Sequence, residues 1–360
     1  MLKEFGWSEE LQRQFAPHAA AGLAPARVIA QHRGRYLVTA AAGEVDAEIG
    51  GRLAREATPV DLPVAGDFVA IEPAGPGFAI IRQVLHRRTL FTRWAAGTRG
   101  RRQPRPTGQP VAANADLALL AEPLVPTLNL RRLERYLAAA WSSGARPAVV
   151  LTKADLCADL DAAAAEVAAV TFDVPMLAVS AVTGAGLDAV RALLAPGITA
   201  ALLGASGAGK STLINGLLGE DRLRTGGVRE NDGRGRHTTT HRELILLPGG
   251  ALVLDTPGMR ELGLWDAEDG VAVGFADIES LAADCRFRNC SHCGEPGCAV
   301  RSAVEAGALD PARLASFRKL AREAAFEAAR DDPLLRAERR KRWIAIHKAN
   351  RRRARDERRL

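Results

Sequence analysis

The chain has 360 residues, 47% of them apolar and 25% charged, with a formal net charge of +7. That length allows two or three domains of roughly 100–200 residues each, and the apolar content excludes a chain disordered throughout. Five cysteines do not make a disulfide scaffold, the charged start MLKEFGWSEELQRQF has no apolar signal core, and no apolar run reaches the roughly 18 residues of a membrane span. A cytoplasmic protein that does not enter membranes is expected, with a polyanion as partner.

Residues 27–85 read as short strands at roughly 8–12-residue spacing, separated by turn residues. They are Arg27–Ala30, Arg35–Ala40, Val45–Ile49, Asp67–Glu72 and Phe78–Val84. This predicts a small antiparallel barrel, OB-like or SH3-like. No acidic residue lies between Glu72 and Asp116, a stretch holding Arg82, Arg87, Arg88, Arg93, Arg99, Arg101, Arg102 and Arg105, with Phe91 and Trp94 interleaved. Arginines with aromatic rings between them suit phosphates and unpaired bases, so this stretch is expected to face RNA. GTRGRRQPRPTGQP at 97–110 reads as a linker or loop.

From about residue 113 apolar runs alternate with helical stretches: DLALLAEP, a helix over Arg131–Ser142, ARPAVVLTK, a further helix, VPMLAVSA, ITAALLGA and ELILLPGGALVLDTPG. The alternation predicts βαβ units and a parallel sheet. The segment Gly204-Ala205-Ser206-Gly207-Ala208-Gly209-Lys210-Ser211-Thr212 matches G-x-x-x-x-G-K-[ST] after a strand and before a helix. This is the setting in which backbone N–H groups cradle phosphates, with Lys210 on the β- and γ-phosphates and the Ser211 hydroxyl on Mg²⁺. Asp255-Thr-Pro-Gly258 closes the next strand; Asp255 can hold Mg²⁺ through water and the Gly258 N–H can sense a γ-phosphate. Between the two motifs, His237-Thr238-Thr239-Thr240-His241 offers a threonine to the Mg²⁺ shell, Thr239 first and Thr240 next.

Thr152-Lys153-Ala154-Asp155 ends the strand at 148–151. An aspartate there accepts two hydrogen bonds from guanine N1 and N2, a donor pair that adenine lacks. Ser180-Ala181, after the strand at 175–179, fits the loop behind the base. Together these predict GTP or GDP with Mg²⁺. The motif order is rotated relative to most GTPases, as in a circular permutation. Such an order is tolerable because loops at the carboxyl ends of a parallel sheet converge on one crevice wherever the chain is cut.

Cys285-x4-Cys290-Ser-His292-Cys293-x4-Cys298 packs four cysteines and a histidine into 14 residues, which reads as one structural Zn²⁺ site. Spacing alone favours the Cys290-x2-Cys293 knuckle and an all-cysteine site. Residues 334–360 hold 12 Lys/Arg against 3 Asp/Glu, so the basic excess is concentrated in the tail, where Trp343 and Ile346 could line one helix face.

TKAD at 152–155, GASGAGKST at 204–212, GRHTTT at 235–240, DTPG at 255–258 and the cysteine cluster give nearly the whole chain a resemblance to the RsgA (YjeQ) family of small-subunit-dependent GTPases. The resemblance implies an N-terminal OB-like β-barrel (1–110), a central circularly permuted α/β P-loop GTPase domain (111–274) and a C-terminal α-helical zinc-binding domain with a basic tail (275–360). It implies Cys285, Cys290, His292 and Cys298 as the zinc ligands, with Cys293 spare. It also implies a role in late maturation of the 30S ribosomal subunit, with 16S rRNA as partner. The chain departs from the family at Thr152, where Asn is usual, so weaker support of the base loop is expected. Many GTPases place a water-orienting Gln after the DTxG glycine; Met259 stands there, which leaves His237 as the candidate catalytic residue and predicts slow hydrolysis without the subunit. The rival readings are a permuted GTPase of large-subunit assembly and an rRNA-binding module with nucleotide as a structural ligand. Nothing requires more than a monomer.

Overall fold

A computed structural model describes residues 2–32, 34–94, 108–171, 174–223, 242–255 and 268–331. The N-terminal strands are β1 (Ala24–His32), β2 (Arg35–Ala40), β3 (Gly43–Ile49), β4 (Phe68–Gly75) and β5 (Phe78–Val84). They run in the order β1-β2-β3-β5-β4, and β4 pairs back to β1. All pairings are antiparallel except β3 with β5, so the sheet closes into a five-stranded barrel. Closure leaves no free edge, and the alternate residues Val28, Tyr36, Val38, Val69, Ile71 and Ile81 fill the interior.

Two helices accompany the barrel where strands alone were expected. Helix α1 (Glu9–Ala20) starts at Ser8, whose hydroxyl accepts from the Leu11 N–H, with Glu9 and Glu10 in the first turn. Its Leu11 and Phe15, one turn apart, bury against Phe68 and Leu85. Helix α2 (Gly51–Glu56) bridges β3 and β4. The strand read from Asp67 begins one residue later because Asp67 turns inward. Its carboxylate accepts from the Val64 N–H at 2.8 Å and pairs with Arg87. Before it, Gly66 (φ +93°) presses on the next segment: a Cβ there would lie 2.2 Å from the Ala113 carbonyl oxygen.

A hairpin, β6 (Leu90–Trp94) and β7 (Gly108–Ala113), leads into the second unit. There β10 (Met176–Val179), β9 (Arg146–Thr152), β8 (Leu117–Pro123), β11 (Thr199–Gly204) and β13 (Leu252–Asp255) lie parallel in that order. β12 (Arg242–Leu246) joins the edge antiparallel to β13. All seven residues of β8 and all six of β11 are buried, which is why they read as continuous apolar runs. Helices α3 (Leu130–Ser143), α4 (Leu160–Thr171), α5 (Leu187–Leu193) and α6 (Lys210–Leu218) cover the two faces. α3 is fixed at its start by the fully buried Glu122, whose carboxylate accepts from the Asn129 N–H and Arg132 Nε.

Two ties sew the barrel to this sheet. β1 pairs with β12 through Ala30 opposite Glu243 and Gln31 opposite Arg242. Arg27, also on β1, is buried and donates to the carbonyls of Phe5 (2.6 Å), Gly66 (3.2 Å) and Asn114 (3.3 Å) and to Thr199 Oγ1 (3.0 Å). Burial pushes its pKa down to about 9, so the guanidinium stays charged at neutral pH, over the ring of Phe68.

The C-terminal unit comprises α7 (Glu268–Gly274), α8 (Ala276–Ala282), α9 (Ala299–Glu305) and α10 (Pro311–Asp331) around Phe275, Ile278, Val300, Leu314, Phe317 and Leu320. It docks on α3. Gly270 of α7 lies so close that a Cβ would stand 2.4 Å from the Ala138 carbonyl oxygen and 2.0 Å from Ser142 Oγ. Beside it, buried Glu134 of α3 accepts from Arg313 and Ser316 of α10, and Arg313 forks onto Asp277 with two 2.7 Å bonds.

Candidate functional site: a phosphate loop, a base loop and a Cys/His cluster

The phosphate loop, the TKAD turn, Ser180-Ala181 and Asp255, the described residue of DTPG, sit at the carboxyl end of the parallel sheet. β11 ends at Gly204, and Ala205–Gly209 curl into the N-terminus of α6, which opens at Lys210. Gly207 and Gly209 hold φ of +77° and +81°, a conformation that turns successive N–H groups inward at no steric cost to glycine. A Cβ at Gly204 would lie 2.6 Å from the Ala121 carbonyl oxygen of β8. Ala208 is buried, while Ser211 and Thr212 are half-buried in the first turn of α6. The Lys210 ammonium donates to the carbonyls of Gly204 and Ala205, each at 2.8 Å, and so stands at the mouth of the loop.

Asp255 ends β13, beside Leu202 of β11. Burial pushes its carboxyl above the ordinary range; the charge of Lys210 acts against that and the charge of Glu243 adds to it.

The base loop begins where β9 ends. Thr152 is buried and its hydroxyl donates to the Ala208 carbonyl at 2.7 Å. The departure from Asn therefore keeps a direct link from base loop to phosphate loop. Lys153 takes a left-handed conformation (φ +60°), after which a 3-10 turn over Ala154–Leu156 leaves the Asp155 carboxylate exposed. In the adjacent strand, Val179 stands opposite Thr152, which brings Ser180 and Ala181 next to that turn. Ser180 is buried and closes a tight loop: its N–H donates to the Ala185 carbonyl and its Oγ accepts from the Thr183 N–H. His237, Thr239, Gly258, Thr240 and Met259 lie outside the described residues, as do Arg99, Arg101, Arg102, Arg105, Trp343 and Ile346.

The cysteine cluster lies apart, in the C-terminal unit. The ligand atoms of Cys285, Cys290, His292 and Cys298 fall within 4.8 Å of one another. His292 Nδ1 is 3.7 Å from Cys285 Sγ and 3.5 Å from Cys298 Sγ, and those two sulfurs are 3.9 Å apart. Zn–S and Zn–N bonds of about 2.3 and 2.0 Å in a tetrahedron put neighbouring ligand atoms roughly 3.5–3.8 Å apart, so the donor set fits zinc. Burial, and then the charge of Arg318, hold His292 below the usual histidine range. Cys298 Sγ also accepts from the Arg301 N–H at the start of α9. Cys293 is exposed, and its thiol donates to the Ser291 carbonyl away from the group. One organising residue carries no signal in the sequence. Glu295 accepts from the Ser291, Cys293 and Gly294 N–H groups and from Ser291 Oγ, bonds that hold its carboxyl well below the usual range.

Within the basic stretch, the side chains of three arginines are described, and each pairs with a carboxylate. Arg82 pairs with Glu72 and Arg88 with Asp116. Arg87, only 12% exposed, is clamped by Asp67 and the carbonyls of Val60 and Leu62. These three arginines hold the barrel and its junction together, because each finds a carboxylate brought close by the fold.

The strand order and the rotated sequence of loops define a circularly permuted P-loop GTPase behind a five-stranded barrel. The family model described as RsgA GTPase matches residues 84–265. A small ribosomal subunit biogenesis GTPase RsgA of Opitutus terrae is 47% identical over 99% of this chain and 98% of its own length. The chain belongs to the RsgA GTPase family and is a GTP hydrolase. Among solved structures, YjeQ from Thermotoga maritima matches with a TM-score of 0.60 and 24% identity, covering 84% of this chain and 98% of that one. YloQ, described as a circularly permuted GTPase, matches at 0.57 and 22%, covering 84% and 94%. These two show the shared fold.

Proposed function

We propose that this GTPase binds the small (30S) ribosomal subunit through 16S rRNA, assists its late maturation, and is released when the subunit stimulates GTP hydrolysis. The observation that carries the reading is the convergence of phosphate loop, Asp255 and TKAD turn on one sheet end, in a chain nearly half identical over its length to a protein named for small-subunit biogenesis. A large-subunit role has no comparable support.

In this reading Asp155 accepts from guanine N1 and N2, with Lys153, Ala154, Ser180 and Ala181 framing the base. Gly204 to Thr212 wrap the phosphates. Ser211 and Thr239 would hold Mg²⁺, which neutralises charge between the β- and γ-phosphates, with Asp255 acting through water. The Thr152–Ala208 bond makes base and phosphate recognition share one frame, so a misplaced base would misplace the phosphate chain as well. With Met259 after Gly258, water positioning falls to His237. Cys285, Cys290, His292 and Cys298 would hold one structural zinc ion that supports a small unit with little core of its own.

We divide the chain near residue 110, within β7, and ahead of α7 rather than at the expected 274, because Val271 of α7 packs in the core of the C-terminal unit. A cytoplasmic monomer suits the reading, and no helix among the described residues is long and apolar enough to cross a membrane. Co-sedimentation tests it. The protein should pellet with small subunits in the presence of a non-hydrolysable GTP analogue, much less with GDP, and not with large subunits. Equal pelleting with large subunits would refute it.

A further inference from the structure

The loop between Cys285 and Cys290 presents an aromatic ring to solvent. Phe287 is 42% exposed, one of the few large apolar side chains left open among the described residues. The Arg286 guanidinium stands 5.5 Å from the ring centroid. Its stem lies along Gly297, where a Cβ would come within 3.0 Å of Arg286 Cβ, and the Arg286 N–H donates to the Gly297 carbonyl. The loop is bounded at both ends by members of the Cys/His cluster.

The charges around it are unspent. Arg286 and Arg288 are exposed, and among the described residues neither forms a salt bridge, whereas Arg82, Arg87 and Arg88 of the barrel are all paired with carboxylates. The nearby Glu295 carboxylate is consumed by the N–H groups of its own turn. Asp284, next to Cys285 in the chain, is an exposed acid, and Glu279 is exposed within electrostatic reach of His292. A single ring among cations offers too little apolar area for the core of a protein–protein interface. It suits a flat, apolar-faced and anionic-backed ligand, which is the chemistry of an unpaired nucleotide.

We propose that Arg286, Phe287 and Arg288 form a stacking platform for one unpaired RNA base, with Phe287 against the base face and the arginines against the adjoining phosphates. The proposal rests on the reading of the partner as a ribosomal subunit and locates one contact on this chain that the nucleotide site does not supply.

The test uses the full-length, zinc-loaded protein with Phe287→Ala, Phe287→Leu and Phe287→Trp. Binding is measured to small subunits, to a short labelled single-stranded RNA and to the same RNA as a duplex. Zinc content and subunit-free GTP turnover are followed in parallel. Loss of one stacked base predicts that Ala and Leu weaken subunit and single-strand binding about 5- to 100-fold, with Trp within about twofold of the parent. Duplex binding, zinc content and basal turnover should not move. Leu binding as well as Phe, or Ala without effect, overturns the platform. If the Ala variant sheds zinc, the Leu and Trp pair decides. Subunit binding that depends on Phe287 without any dependence in the free single strand points to a protein contact and also overturns it. Phe287-dependent single-strand binding by a protein that ignores small subunits would keep the platform and refute the small-subunit reading.

Discussion

Thr152 joins the two halves of the nucleotide site through one hydroxyl. Thr152→Val keeps the shape and removes the donor, leaving the Ala208 carbonyl unpaired in a buried place. An unmade buried hydrogen bond costs about 1–3 kcal/mol, so affinity for a fluorescent GDP should fall at least about fivefold, while Thr152→Ser stays near the parent. Equal affinity in Val and Ser would mean that the link does not support the site. The Cys/His cluster makes an equally sharp prediction. Cys293→Ser should retain one zinc per chain, because its sulfur faces Ser291. Cys290→Ser should lose the metal and lower the melting temperature of the C-terminal unit. Metal analysis of the two purified variants decides, and dependence on Cys293 would restore the all-cysteine site that spacing alone favours.

Elements were legible where one short stretch carries the whole signal. The phosphate loop, TKAD and Ser180-Ala181 are each fixed by residue type at close spacing, and all five barrel strands announce themselves by alternation between turns. Helix α1 was not read from the sequence; its Ser8 cap and the Leu11–Phe15 pair acquire meaning only against Phe68 and Leu85, which the barrel brings to them. The ties between distant elements were not legible. Arg27 and Thr199 are 172 positions apart, and Glu134 and Arg313 are 179 apart, so no local pattern marks either pair. Arg87 misled for the same reason: its partner Asp67 is visible only once the barrel closes. The docking of α7 on α3 belongs here as well. Gly270→Ala would drive a methyl into the Ala138 carbonyl and should destabilise by about 1–3 kcal/mol, the usual range for overpacking. Gly249→Ala, with nothing within 4 Å, should leave the melting temperature unchanged. Equal melting of the two variants would show that α7 does not pack on α3 this closely.

At the scale of the molecule, the barrel is bound to the GTPase sheet by a short β1–β12 pairing and by one buried cation. Arg27→Met keeps the stem but strips hydrogen bonds from the carbonyls of Phe5, Gly66 and Asn114. The Gly66 carbonyl keeps the Asn114 Nδ2 donor, but those of Phe5 and Asn114 are orphaned, at about 1–3 kcal/mol each. Calorimetry should then show the barrel unfolding before the GTPase domain; a parent-like trace would deny Arg27 that role. Arg27→Lys should fail in the same way, because an ammonium cannot reach acceptors spread around a planar fork. The rotated order of motifs has a mechanical consequence. The chain leaves Asp255 and re-enters the described structure at α7, already docked on α3 and leading to the Cys/His cluster. In the proposed function, movement near the γ-phosphate has a short covalent route to the C-terminal unit and the surface it presents.

In the proposed function the small subunit completes a slow GTPase. The direct measurement is GTP turnover by the purified protein alone, with small subunits and with large subunits. Turnover should be slow alone, rise greatly with small subunits, and not rise with large ones. A rate that small subunits leave unchanged, or that only large subunits raise, would contradict it.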